Sequence, residues 1–202
     1  MKKLFMVAAM AVAVLTVKAQ SLACQDEGTF SVKPYAGLSM STMLGDKDES
    51  NVRAGFTAGA EAQYMVNEWF AVSAGLAYSQ QGGVAIDDGI KFTFDLDYVN
   101  MPILANFYVC KGLALKVGIQ PGYAINQKLE LTDGFYPVSG DISDYLRKFD
   151  IAMPIGISYE IQNVVVDARF NTGIFGVFKD EDKFSTDNYT NAAFHVTVGY
   201  RF

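Results

Sequence analysis

Histidine occurs once in this chain, at position 195, and cysteine only twice, at 24 and 110. No His, Cys, Asp and Glu gather at metal-ligand spacing, and no glycine-rich phosphate loop is present. The usual residues for metal, phosphoryl and acid–base chemistry are therefore missing, so neither an enzyme nor a cofactor is expected. Basic residues are also scarce, 16 against 22 acidic ones. Nucleic acid, which needs basic patches, is not an expected partner. Long apolar runs are missing as well, with one exception at the N-terminus.

That exception has the three-part layout of a secretory signal. Met1-Lys2-Lys3 is cationic, Leu4 to Val17 is apolar and uncharged, and Val17-Lys18-Ala19 puts small residues at −3 and −1 of a cleavage site. The run is too short for a spanning helix. Residues 1–19 are thus expected to be a signal peptide removed before Gln20, and 20–30 a short periplasmic segment. An alternative is a lipoprotein acylated at Cys24 after Ser21-Leu22-Ala23, though that box lacks an aliphatic residue three before the cysteine. With no second long apolar run, a membrane-embedded mature chain must cross as strands.

Strand periodicity fills the rest of the chain. Period-2 alternation predicts strands near 31–41, 53–65, 69–80, 93–109, 112–124, 148–160, 163–174 and 191–202. Tight turns fall at Asn67-Glu68, Cys110-Lys111 and Gln162-Asn163. The other links, near 42–52, 81–92, 125–147 and 175–190, are longer and rich in Asp, Ser, Gly and Asn. Eight strands with short turns at one end and long loops at the other match an outer-membrane barrel, short turns in the periplasm. The predicted fold is all-β: an eight-stranded antiparallel up-and-down transmembrane barrel over 31–202.

Glycine says which face meets lipid. One face carries residues such as Phe56, Ala58, Ala60 and Tyr64, then Phe70, Val72 and Leu76, then Phe194, Val196, Val198 and Tyr200. The opposite, polar face holds Gly37, Gly55, Gly59, Gly75, Gly118, Gly122, Gly156, Gly173 and Gly199. Glycine weakens a strand, and a solvated soluble surface has no need of it. A narrow lumen does, because inward side chains crowd. The polar face is therefore the inside.

Aromatics are expected in two girdles. Trp69, Phe70, Phe107, Tyr108, Tyr159, Tyr200 and Phe202 lie near the short turns; Phe56, Tyr78, Phe94, Tyr98, Tyr123, Phe149 and Phe170 lie towards the other end. Asp95 and Asp97 share the parity of the apolar Val99 and Met101. Counting from Phe107 puts both acids above the membrane boundary near Tyr98. Pro102, Pro121 and Pro154 sit inside predicted strands, where bulges are expected.

Asp97-Tyr98-Val99-Asn100-Met101-Pro102-Ile103-Leu104, the Lys111-Gly112-Leu113 turn and Val117-Gly118-Ile119-Gln120-Pro121-Gly122-Tyr123 together resemble the PorT-like outer-membrane β-barrel family, small barrels of the OmpA/OmpX type. Gly156 to Glu160 and Val164 to Gly173 are similar to that family's next hairpin. Met101-Pro102-Ile103 and Met153-Pro154-Ile155 also suggest a duplicated hairpin. The terminal Tyr200-Arg201-Phe202 looks like the aromatic signal, ending in Phe202, read by the barrel-assembly machinery. The resemblance implies fold and location and no catalytic residue, and this functionally mixed family fixes no role.

Parity points Lys33, Arg53, Lys116, Arg169 and Arg201 inward with Glu61, Asp150, Glu160 and Asp167. Confined charges must pair, so a packed salt-bridged lumen is expected, with Glu61 and Arg169 at comparable depth. His195 also faces inward and is read as a hydrogen-bonded lumen residue. Cys24 and Cys110 both fall on the periplasmic side. A disulfide is open to them, since residues 25–30 span up to roughly 20 Å; two free thiols are the alternative.

The loops hold the acidic surplus, including Asp46, Asp48, Glu49, Asp87, Asp88, Asp141, Asp144, Asp180, Glu181, Asp182 and Asp187. Asp46-x-Asp48-x-Ser50 resembles the start of a calcium loop but lacks the later ligands, so a solvated loop is the better reading. Expected partners are outer-membrane lipid and lipopolysaccharide, the assembly machinery, and a protein at the extracellular loops. Three roles stay open: a structural or adhesive surface protein, an accessory subunit of a secretion or uptake machine, and a small channel.

Overall fold

The computed structural model describes residues 26–44, 51–87, 90–132, 137–141, 147–174 and 190–202. The signal-peptide expectation, Cys24 and most of the acidic loop positions lie outside them. Ten strand segments run β1 (Phe30–Leu44), β2 (Arg53–Asn67), β3 (Phe70–Asp87), β4 (Ile90–Asn100), β5 (Ile103–Cys110), β6 (Leu113–Thr132), β7 (Pro137–Asp141), β8 (Phe149–Ile161), β9 (Val164–Gly173) and β10 (Thr190–Tyr200). Every pairing is antiparallel, and β1 pairs with both β2 and β10. The sheet therefore closes on itself.

The wall has eight strands because β4 and β5 are one strand interrupted at Met101-Pro102 and β7 pairs only with the outer end of β6. Both pair with β3 on one side and β6 on the other, and the register is the same above and below the break. The bulges expected at proline do not form. Registers run unshifted past Pro102, Pro121 and Pro154. The reason is that proline costs only its donor: the Pro102 carbonyl still accepts from Gly75 N at 3.0 Å, and Pro121 O from Met101 N at 2.8 Å. Shifts occur instead between Met65 and Asn67 and between Tyr108 and Cys110, beside the short turns, and between Asp97 and Tyr98, where β6 carries the extra residue Ile125.

Turn chemistry sets the short end. Asn67 Oδ1 accepts from Trp69 N and Phe70 N at 3.1 and 2.8 Å, an Asx turn. Gly112 (φ 77°) and Gln162 (φ 57°) take the left-handed conformation in the other two turns. At the opposite end β3, β4 and β6 run further than alternation indicated. Segment 81–92, expected as a loop, is largely β3 and β4, and 125–147 contains the end of β6 paired with β7.

The burial pattern is inverted relative to a soluble protein. Lys33, Glu61, Gln63, Asn106 and Arg169 are buried, while Leu38, Leu76, Ile119, Ile155 and Val198 are exposed. Backbone groups are satisfied within the closed wall, so this surface can face hydrocarbon. Trp69, Phe70 and Phe107 cluster at the short-turn end, with centroids 5.2–6.3 Å apart. Phe56 meets Tyr78 at 5.3 Å nearer the other end. Two girdle assignments need correction. Tyr98 is 2% exposed and faces the lumen, because its parity matches Leu96 and Asn100. Tyr108 also turns inward, where its hydroxyl accepts from Gln63 Nε2 at 2.8 Å.

Two contacts explain the lumen glycines. A Cβ on Gly37 would press on the Val196 carbonyl oxygen, and one on Gly118 on that of Ile103. Both glycines let a neighbouring strand come closer than any side chain would allow.

Candidate functional site

The charged side chains expected in the lumen divide into two groups, with Arg53 and Asp150 apart from both. The central group joins four strands: Lys33 from β1, Glu61 from β2, Lys116 from β6, and Asp167 with Arg169 from β9. Alternation puts each on the inner face, and the register sets Lys33 opposite Glu61. Glu61 lies 3.4 Å from Lys33 Nζ, 3.3 Å from Lys116 Nζ and 3.2 Å from Arg169 Nη2. Asp167 lies 3.7, 2.6 and 3.1 Å from the same three atoms. Each carboxylate thus meets all three cations. None of the five side chains is more than 6% exposed.

Arg201 and Glu160 form a second group nearer the short turns, Nε to Oε2 at 3.0 Å, with Arg201 Nη1 donating to Ser31 Oγ at 3.1 Å. Phe202 follows directly, and its backbone exchanges hydrogen bonds with Val32. The last residue therefore completes the β1–β10 seam, its ring 74% exposed on the outer face.

Arg53 joins neither group. Its Nη2 meets Asp95 Oδ1 at 2.6 Å and its Nη1 donates to the Gln81 carbonyl at 2.6 Å. The named β2–β3 pairing reaches only as far as Thr57–Ser79, so Arg53 lies across the upper part of β3, passing Gly82. Asp150 is half-buried, and no ion pair for it is found among the described residues. Cys110 is exposed in the β5–β6 turn.

Sequence reasoning missed a layer of amides and hydroxyls above the central charges. Asn100 Nδ2 and Gln81 Nε2 both donate to Ser79 Oγ, at 2.7 and 2.6 Å, and Asn191 Nδ2 donates to Gln81 Oε1. Parity would have placed Ser79, Asn100 and Asn191 inside. Gln81 fell in a segment expected to be loop. His195 sits between the layers, 3.1 Å from Asn171 Nδ2 through Nδ1. Beside it is a cavity of about 10 Å³ lined by Tyr35, Thr57, Gln120, Arg169, His195 and Thr197 among others.

A closed wall, an apolar exterior and a polar, charge-paired interior together describe a protein that crosses a membrane with strands. A family profile described as outer membrane protein beta-barrel domain matches residues 18–179, most of the chain. The chain belongs to that family. It is an outer-membrane β-barrel. Among solved structures it is similar to Ail, the attachment invasion locus protein of Yersinia pestis, at 17% identity and TM-score 0.51, covering 87% of this chain and 99% of that one. Neisserial surface protein A is similar at 15% identity and TM-score 0.51, covering 86% and 97%. At such identity these likenesses speak for the fold. Among curated protein sequences, none matches this one.

Proposed function

We propose that this outer-membrane barrel is a plugged, non-enzymatic scaffold whose acidic extracellular loops make its functional contacts, in a structural, adhesive or surface-interaction role. One observation carries the reading: Glu61 and Asp167 each engage Lys33, Lys116 and Arg169 across the lumen. An eight-stranded interior is only wide enough for side chains, and a continuous aqueous path would have to break this charged cross-brace. With the lumen occupied, the parts left to meet a partner are the surface and the loops.

Purified protein in planar bilayers should give no steady single-channel conductance. A reproducible conductance would replace this reading with that of a small channel. The loops are expected to contact lipopolysaccharide and a protein partner. Ail was solved with the heparin analogue sucrose octasulfate, which makes a sulfated glycan a useful probe, although the acidic loops here favour a different partner.

The resemblance of 97–123 to PorT-like barrels supports a second reading, an accessory subunit of a secretion or uptake machine. Gentle solubilisation and co-purification separate the two, since a machine subunit should bring stoichiometric partners. Assembly is proposed to proceed through recognition of the C-terminal strand. Phe202→Ala should then lower the amount of folded barrel in the outer membrane without changing its synthesis.

A further inference from the structure

Among the described residues, the buried lumen charges do not balance. Lys33, Lys116, Arg169 and Arg201 face Glu61, Asp167 and Glu160, a surplus of one positive charge. Arg201 is taken by Glu160, so the surplus belongs to the central group. An uncompensated charge inside a closed wall is costly. Half-buried Asp150 shares no ion pair with any of these cations among the described residues, and Arg53 is neutralised by Asp95 at the rim.

Two donors without partners belong to residues at the place where the surplus could be met. Arg169 gives Nη2 to both carboxylates, while its Nε has no partner. His195 Nδ1 accepts from Asn171 Nδ2, which leaves the proton on Nε2, and Nε2 also has no partner. Arg169 and His195 are register partners on β9 and β10, so the two residues stand side by side on the inner face. Both residues are more than nine-tenths buried, and both line the 10 Å³ cavity. That volume admits about one water-sized sphere, far less than a phosphate or sulfate needs. Asp167 also borders the cavity, but its Oδ2 is already held by Lys116 and Arg169.

We propose that the lumen binds one monatomic anion of the halide class between Arg169 Nε and His195 Nε2. Two unpartnered N–H donors on residues that line one cavity favour an acceptor ligand, and the net charge of the cluster favours a negative one. A cation would sit against the Arg169 guanidinium, and a water molecule would leave the surplus in place.

Bromide is a suitable probe. The full barrel, folded in detergent micelles, should unfold at a higher temperature with each tenfold rise in sodium bromide, compared with sodium gluconate at equal ionic strength. Lys33→Met, which removes the surplus charge, and His195→Phe, which fills the cavity, should each abolish that dependence. Crystals grown in bromide should show an anomalous peak within hydrogen-bond reach of both nitrogens. Equal midpoints in the two salts, or a dependence that survives in both variants, would overturn the proposal. So would an ordered water at that position with no anomalous signal, a result that decides the matter even where a variant fails to fold.

Discussion

Glu61 and Asp167 stand on β2 and β9 yet share the same three cations, Lys33, Lys116 and Arg169. Lys116 reaches both from β6, at 3.3 Å to Glu61 and 2.6 Å to Asp167. Strands that never pair in the wall are therefore joined through its centre. A sheet alone resists shear along its ladders; this cluster ties the far sides of the cylinder together.

Removing one member should cost far more than its share of the bonds. Arg169→Met leaves Glu61 and Asp167 each short of a partner in a place shielded from bulk solvent. Breaking a buried pair on one side costs about 3–5 kcal/mol. Urea titration of the barrel in micelles, followed by the gel shift between folded and boiled forms, should show a loss in that range. Asp182→Asn, in an acidic loop, should leave the midpoint almost unchanged. A loop-sized effect for Arg169→Met would mean the central charges are hydrated after all.

The rim pair should behave differently. Arg53 and Asp95 are 18% and 29% exposed, so their attraction is screened, and such pairs contribute roughly 0–1 kcal/mol. Asp95→Asn should move the same urea midpoint only slightly, with the effect shrinking further at high salt. A change comparable to Arg169→Met would show that the rim, rather than the lumen, limits stability.

Much of this arrangement is legible in the amino-acid sequence. Strict alternation puts Lys33, Glu61, Lys116, Asp167 and Arg169 on the inner face, but does not say which of the inward charges meet. Parity cannot say how far a strand extends above the membrane, because a wall that continues in water alternates with the same period. The outer lengths of β3, β4 and β6 were missed for that reason, and with them Gln81 and the true position of Arg53. Depth along the barrel was similarly hidden: Arg53 has the lumen parity, but β2 reaches the rim before it can meet the central carboxylates.

Topology can be tested at Cys110, exposed in the β5–β6 turn. In a Cys24→Ser variant the thiol at 110 has no disulfide partner within the chain. A membrane-impermeant maleimide should label it only after the outer membrane is permeabilised. Labelling in intact cells would invert the barrel. In the unmutated protein, mass spectrometry after alkylation without reductant decides whether Cys24 and Cys110 are bridged or free.

Closure of the wall should depend on Gly37. It lies on β1 opposite Thr197 of β10, the seam where the first and last strands meet. A Cβ there would press on the Val196 carbonyl oxygen and come within 2.6 Å of the Thr197 Cα. Both are backbone atoms, so no flexible side chain can move aside. The two strands must separate locally, and separation breaks ladder bonds that have no replacement partner in lipid. Gly37→Val should therefore abolish or sharply reduce the heat-modifiable folded band, and the protein should accumulate unfolded. Gly140→Ala supplies the control, because a Cβ at that β7 position meets nothing within 4 Å. It should fold to the normal yield. A Gly37→Val barrel that folds as well as the parent would show that the seam can open without loss, and that glycine at this position answers some need other than close strand approach.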